Sequence, residues 1–93
     1  MEFEWNFRKT EHNLRKHGVS FAEAATVFDD PLGATAYDID HSAEENRFIT
    51  VGRSKRSRLI IVSHADRGDR VRIISARRLT KSEREAYEEE TGK

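Results

Sequence analysis

The chain contains no cysteine, so disulfide staples, thiolate metal sites and thiol nucleophiles are all excluded, and the composition fits a reducing compartment. Long apolar runs are missing too. Nothing approaches the ~20 apolar residues that span a bilayer. Met1-Glu2-Phe3-Glu4-Trp5 lacks the basic-then-apolar pattern of an export signal, so a cytoplasmic protein without membrane contact is expected. There is no Gly-rich phosphate loop, no nucleophile elbow and no HExxH motif. Of the 93 residues, 35% are hydrophobic and 37% charged, which leaves a thin core for one domain spanning 1–93 and invites a partner chain. A large enclosed substrate cavity is not expected.

What the chain has in quantity is arginine, unevenly placed. Basic and acidic residues balance at 17 each, yet residues 1–46 hold four basic and ten acidic side chains, whereas residues 47–84 hold twelve basic and three acidic. That central segment is nine charges positive and attracts polyanions. Its bias toward arginine matters because the planar fork grips phosphate through paired hydrogen bonds, where lysine is a point charge. The alternative is a basic sheet that balances the acidic half within the fold.

Local patterns divide the chain cleanly. Phe3 and Trp5 alternate with polar residues as a short opening strand, Asn6 caps a helix over Phe7–His17, and Gly18 supplies its left-handed end. Ser20-Phe21-Ala22-Glu23 reads as a capping box opening a second helix. Phe21, Ala24, Ala25 and Phe28 form its apolar stripe before Asp29-Asp30-Pro31 ends it. Strands follow at about 34–38, 47–53, 58–64 and 70–78, with a hairpin around Gly68. If Asp66 pairs with Asp69, then Arg58, Ile60, Val62 and His64 share a face with Val71, Ile73, Ser75 and Arg77. Thr80-Lys81-Ser82-Glu83 is a second capping box, opening a closing helix that carries Tyr87. The expected fold is α+β: two N-terminal helices, an antiparallel sheet of four or five strands, and a C-terminal helix.

Few residues offer chemistry beyond charge. His12 and His17 are five apart, off the i, i+4 spacing of a helix-borne metal pair. Asp38, Asp40 and His41 cluster in an acidic loop, but turn-favouring acidic residues explain them as well as a metal does. Metal-free phosphodiester chemistry stays open, because RNA carries its own 2′-OH nucleophile and needs orientation, proton transfer and neutralisation of the phosphorane. Arginines on a rigid sheet suit the last task. His64, near a strand end, is a candidate acid or base, and Tyr87 could stack on a base or orient a phosphate.

Several blocks together resemble a known family. His17-Gly18-Val19-Ser20-Phe21 with Glu23-Ala24, Val27-Phe28-Asp29-Asp30-Pro31, Val51-Gly52-Arg53, and Arg72-Ile73-Ile74-Ser75-Ala76-Arg77 with Glu83-Arg84 are similar to the BrnT toxins of type II toxin-antitoxin pairs. The resemblance runs from about Glu4 to Glu89. It implies a RelE-like fold and a ribonuclease that blocks translation without a cofactor. It also implies a BrnA-like antitoxin as partner, allows a heterotetramer with it, and assigns operator DNA contact to the antitoxin alone. Carried onto matching positions, it nominates Arg53 and Arg77, with Tyr87 in the place of a C-terminal catalytic tyrosine; His17 and Trp5 are assigned structural roles. The expected catalytic set is therefore Arg53, Arg77, His64 and Tyr87, with Lys55, Arg58, Arg72 and Arg78 guiding RNA and no metal ligands. The rival reading is a non-catalytic module that binds nucleic acid or protein through the same arginines.

Overall fold

The structure, a computed structural model, describes residues 1–90. Strand β1 (Glu2–Glu4) leads into helices α1 (Phe7–His17) and α2 (Phe21–Thr26), the latter extended by a 3-10 turn at Val27–Asp29. Strands β2 (Ala34–Tyr37), β3 (Arg47–Arg53), β4 (Leu59–Arg67) and β5 (Arg70–Arg78) follow, and α3 (Lys81–Glu90) closes the fold. The five strands form one sheet in the order β1-β5-β4-β3-β2. The sheet is mixed, because β1 runs parallel to β5 while the other pairs are antiparallel. An all-antiparallel sheet is thus corrected at its first strand. With both helices intervening, β1 reaches β5 by a crossover, and Glu2 and Glu4 meet Arg70 and Arg67 there in ion pairs of 3.4–3.7 Å.

The helices start and stop where side chains satisfy their backbone ends. In α1 the Asn6 carboxamide accepts from the N–H groups of Arg8 at 2.8 Å and Lys9 at 3.1 Å, and Gly18 takes φ 73° at the other end. For α2, Ser20 accepts from the Glu23 N–H at 3.0 Å, but the Glu23 carboxylate turns away to Ser54 and Arg58, so this capping box is only half made. The box at α3 is complete: Glu83 N–H donates to Thr80 Oγ1 at 3.2 Å, and Thr80 N–H donates back to Glu83 at 2.9 Å.

The core lies between the first two helices and one sheet face. Val19, Phe21, Ala24 and Val27 pack against Ile60, Val62, Ile73 and Ala76, with Ala25 and Phe28 at the margin. Full burial of a side chain such as Phe21 contributes about 1.5–3 kcal/mol. Gly52 lets Val27 approach β3 closely, since a Cβ there would sit 3.0 Å from a Val27 methyl. Beyond its short pairing with β1, the outer edge of β5 is covered by α1. Buried Asn13 acts as a surrogate strand: its amide donates to Ala76 O at 2.7 Å and Val19 O at 2.8 Å, and its oxygen accepts from Ala76 N–H at 3.2 Å.

Candidate functional site

With the core on one side, alternate strand residues face the other way. On β3 these are Arg47, Ile49, Val51 and Arg53. Val51 and Arg77 both stand opposite Ile61, one on each side of β4, and Arg53 lies one alternate position further along β3. Neighbouring strands are ~4.8 Å apart, so the β3 and β5 rows bearing Arg53 and Arg77 are separated by ~10 Å. A groove of about 350 Å³ runs over this face, lined by His17, Ile49, Ile61, Ser63, Ser75, Ala76 and Arg77.

A bulge decides that Arg77 points here. The β4–β5 hairpin pairs Arg67 with Arg70 around Gly68-Asp69, with Gly68 at φ 70°. From that turn inward, His64 stands opposite Ile73, but Ser63 stands opposite Ser75, so Ile74 is an extra residue on β5. Val71 and Ile73 therefore share the core face with Val62 and His64, while Ser75 and Arg77 are switched to the open face. The face-sharing expected for Ser75 and Arg77 with His64 is corrected by that single residue.

Arg77 is held in place. Its two terminal nitrogens donate to the two carboxylate oxygens of Glu83 at 2.9 and 3.0 Å, and one also reaches Arg78 O at 3.2 Å. The Arg77 guanidinium, together with the Thr80 N–H, pulls the Glu83 carboxyl down to about 2. Both side chains stay 40% exposed, so the pair borders the groove without being sealed in it. Arg53 is steered by its surroundings: its N–H donates to Asp30 Oδ2 at 2.7 Å and its guanidinium to Ser57 O at 3.1 Å. Tyr87 of α3 donates its hydroxyl to Leu32 O at 2.9 Å. Burial pushes that phenol up, Asp30 adds to the effect and Arg53 opposes it, which places Tyr87 in the electrostatic neighbourhood of Arg53.

Two expected site residues are taken up by the fold itself. His64 is on the core face and only 5% exposed, with its ring against Phe28 at 4.8 Å and Phe48 at 5.9 Å. Its Nε2 meets Thr50 Oγ1 at 2.7 Å, its Nδ1 is buried with no partner among the described residues, and burial lowers its pKa against a weaker upward pull from Asp66. The sheet itself separates it from Arg53 and Arg77. Arg58 precedes β4 and is bound to buried Glu23 through both Nε, at 2.9 Å, and Nη2, and to Gly18 O at 2.8 Å. It ties the α1–α2 junction to the β3–β4 turn, and its charge is spent on Glu23.

The other expected contacts divide by position. Lys55 lies in the β3–β4 turn beside Thr26, Asp29 and Asp30. Arg72 occupies the opposite end of the open face, paired in register with Ala65 and Glu4. Arg78 sits at the end of the sheet in a cleft with Arg53 and Arg84. The structure thus gathers Arg53 and Arg78 in one cleft, with Tyr87 of α3 near Arg53, and sets Arg77 in the groove on the open face. It adds Glu83, Arg84 and His17, which the sequence reading left out of the site. All three stand in the blocks that carry the family resemblance, where His17 was assigned a structural role at a helix end, and the fold carries it to the groove.

Residues 5–83 match the family model described as the ribonuclease toxin BrnT of type II toxin-antitoxin systems. No curated protein sequence matches the chain. Among solved structures, the 1.1 Å crystal structure of the Brucella abortus ribonuclease toxin BrnT has a TM-score of 0.64 at 20% identity, covering 87% of this chain and 99% of that one. At that identity the likeness shows a shared fold. The family match spans most of the chain, and the protein belongs to the BrnT ribonuclease toxins of type II toxin-antitoxin systems, whose members imply an antitoxin partner.

Proposed function

We propose that the chain is a metal-independent endoribonuclease with a RelE-like fold, acting on the open face of its sheet. The observation that carries this reading is the placement of Arg53 and Arg77 on that face, on strands either side of β4. Two guanidinium groups so placed hold a diester between them and neutralise the charge that grows on phosphorus as the bond breaks. The attacking group is the RNA 2′-oxygen, which loses its proton as it bonds to phosphorus; the 5′-oxygen leaves and takes up a proton. The products are a 2′,3′-cyclic phosphate and a 5′-hydroxyl. The imidazole that shares the groove with Arg77 belongs to His17, and it takes the proton-transfer role first considered for His64. Tyr87 positions the strand beside Arg53, and Lys55 and Arg72 extend the basic track.

In the cytoplasm such an activity blocks translation and has to be restrained. A BrnA-like antitoxin covering the basic face, in a heterotetramer whose operator contacts come from the antitoxin, would do so through complementary charge. Exposed Phe7 and Leu14 on α1 and Leu32, Tyr37 and Ile39 around β2 offer apolar surface for the same partner. The test is cleavage of purified RNA with and without EDTA, with the product ends identified. Cyclic phosphate ends formed in EDTA support the reading; loss of cleavage in EDTA, or RNA binding with no cleavage, overturns it.

A further inference from the structure

We propose that the cleft at the end of the sheet is a second phosphate-binding subsite, taking a phosphate of the RNA strand beside the one held by Arg53 and Arg77. The proposal rests on the ribonuclease reading above. The cleft, of about 370 Å³, is formed where the β3–β4 turn, the end of β5 and the first turns of α3 converge. Arg53, Arg78 and Arg84 line it, over a floor that includes buried Leu59 and Leu79 joined by a Leu79 N–H to Leu59 O bond of 3.2 Å.

Its charge is unbalanced in a specific way. Arg58, also in the lining, is neutralised by Glu23. Three neighbouring carboxylates are engaged elsewhere: Glu23 by Arg58 and Ser54, Glu83 by Arg77 and Thr80, and Asp30 by the backbone N–H groups of Arg53 and Leu32. Among the described residues, Arg53, Arg78 and Arg84 have no carboxylate within ion-pair distance. Three like charges gathered on a rigid apolar floor repel one another until an anion enters. Arg53 is also pre-aimed, because its guanidinium is anchored on the carbonyl of Ser57, the one described non-glycine residue with positive φ, at 64°. Strain of that kind is retained where it positions a group. The anchor uses one of five guanidinium N–H donors and leaves the others for a ligand.

The cleft meets the proposed site at Arg53. Arg53 belongs to both, and Arg77 and Arg78 are consecutive on β5 with their side chains on opposite faces of the sheet's end. A strand held at Arg53 that passes over the end of the sheet sets its next phosphate against Arg78 and Arg84.

The test is binding of a non-cleavable, fully 2′-O-methylated oligoribonucleotide across a salt series. Arg78→Gln and Arg84→Gln are each expected to weaken binding about tenfold. Each is also expected to flatten the log affinity against log salt slope by ~0.7, the value for one lost phosphate contact on a single strand. Arg15→Gln, which removes the same charge from the exposed side of α1, is expected to change neither. Equal affinities and slopes for all three variants and the parent chain would overturn the subsite, even if RNA is cleaved. Inorganic phosphate at millimolar concentration should not displace the oligonucleotide; displacement by phosphate alone assigns the cleft to a free anion and overturns the strand-binding assignment. Failure of the ribonuclease reading shows separately, as tight, Arg84-dependent binding with no cleavage of unmodified RNA.

Discussion

Arg77 and Glu83 are joined by two parallel hydrogen bonds of 2.9 and 3.0 Å across the junction of β5 and α3, at the rim of the groove. The pair fixes the guanidinium plane and leaves its charge accessible, a state between a buried structural ion pair and a free surface arginine. Arg77→Ala is expected to abolish cleavage of purified RNA while circular dichroism shows a folded chain. Cleavage at the parent rate would remove Arg77 from the site. Arg77→Lys, which keeps the charge and loses the fork, should retain only a small part of the activity.

The same pair predicts an acid limb of stability. The Glu83 carboxyl is lowered from an ordinary 4.5 to about 2, so the contribution of the charged pair is complete above pH 4.5 and lost as pH falls toward 2. Melting temperatures recorded from pH 6 to pH 2 should fall less steeply in Glu83→Gln than in the parent chain. Parallel curves would mean that the pair adds nothing to the folded state.

His64 predicts a second titration, of opposite origin. Burial against Phe28 and Phe48 lowers its pKa below the ordinary 6.5, so the folded chain resists a proton that the unfolded chain accepts. Stability should therefore be full above pH ~6.5 and decline below it, by at most ~1.4 kcal/mol per pH unit. His64→Gln keeps a polar group beside Thr50 and should remove this slope between pH 7 and 5. Because His64 faces the core, cleavage by that variant at pH 8 should persist. Loss of cleavage with an intact fold would return His64 to the mechanism.

The histidine also shows what the sequence could and could not disclose. Helix α1 was readable to the residue, because Asn6 and Gly18 mark its ends with local chemistry. Arg53 and Arg77 were readable as candidates from strand pattern and from the block resemblance. The face on which each residue falls was not. Ile74 gives no local sign of being a bulge, since Ile73 and Ile74 are equally apolar, yet that one residue separates Arg77 from His64. Glu23 was misread for a related reason: its capping-box spacing is local, whereas Arg58, the partner that wins it, lies 35 residues away. The parallel β1–β5 pairing is likewise a long-range outcome that no short pattern encodes.

Asn13 predicts a purely structural loss. Its amide satisfies the N–H and C=O of Ala76 and the C=O of Val19, all in a buried setting. Asn13→Leu leaves three backbone groups without partners, and ~1–3 kcal/mol for each unsatisfied group makes a total near 3 kcal/mol or more expected. Urea unfolding should report this as a lowered midpoint, with the slope against urea unchanged. A shift under 1 kcal/mol would show that water replaces the amide at the edge of β5.

Glu23 and Arg58 make the last prediction, since they separate a structural arginine from the RNA-binding ones. The Arg58 guanidinium holds the Glu23 carboxyl below its ordinary range against the cost of desolvation, with Ser54 assisting. Removing Arg58 leaves a carboxylate that is 5% exposed facing Ser54 and the more distant Arg56 at 3.7 Å. Arg58→Ala should therefore cost about 3 kcal/mol of stability, in the range seen when one partner of a buried pair is deleted. Glu23→Gln/Arg58→Gln, which removes both charges, should recover much of that loss. Affinity for the 2′-O-methylated oligonucleotide should follow Arg78 and Arg84 and stay level in the double variant, once stability is restored. A drop in affinity equal to that of Arg84→Gln would instead place Arg58 among the groups that touch RNA.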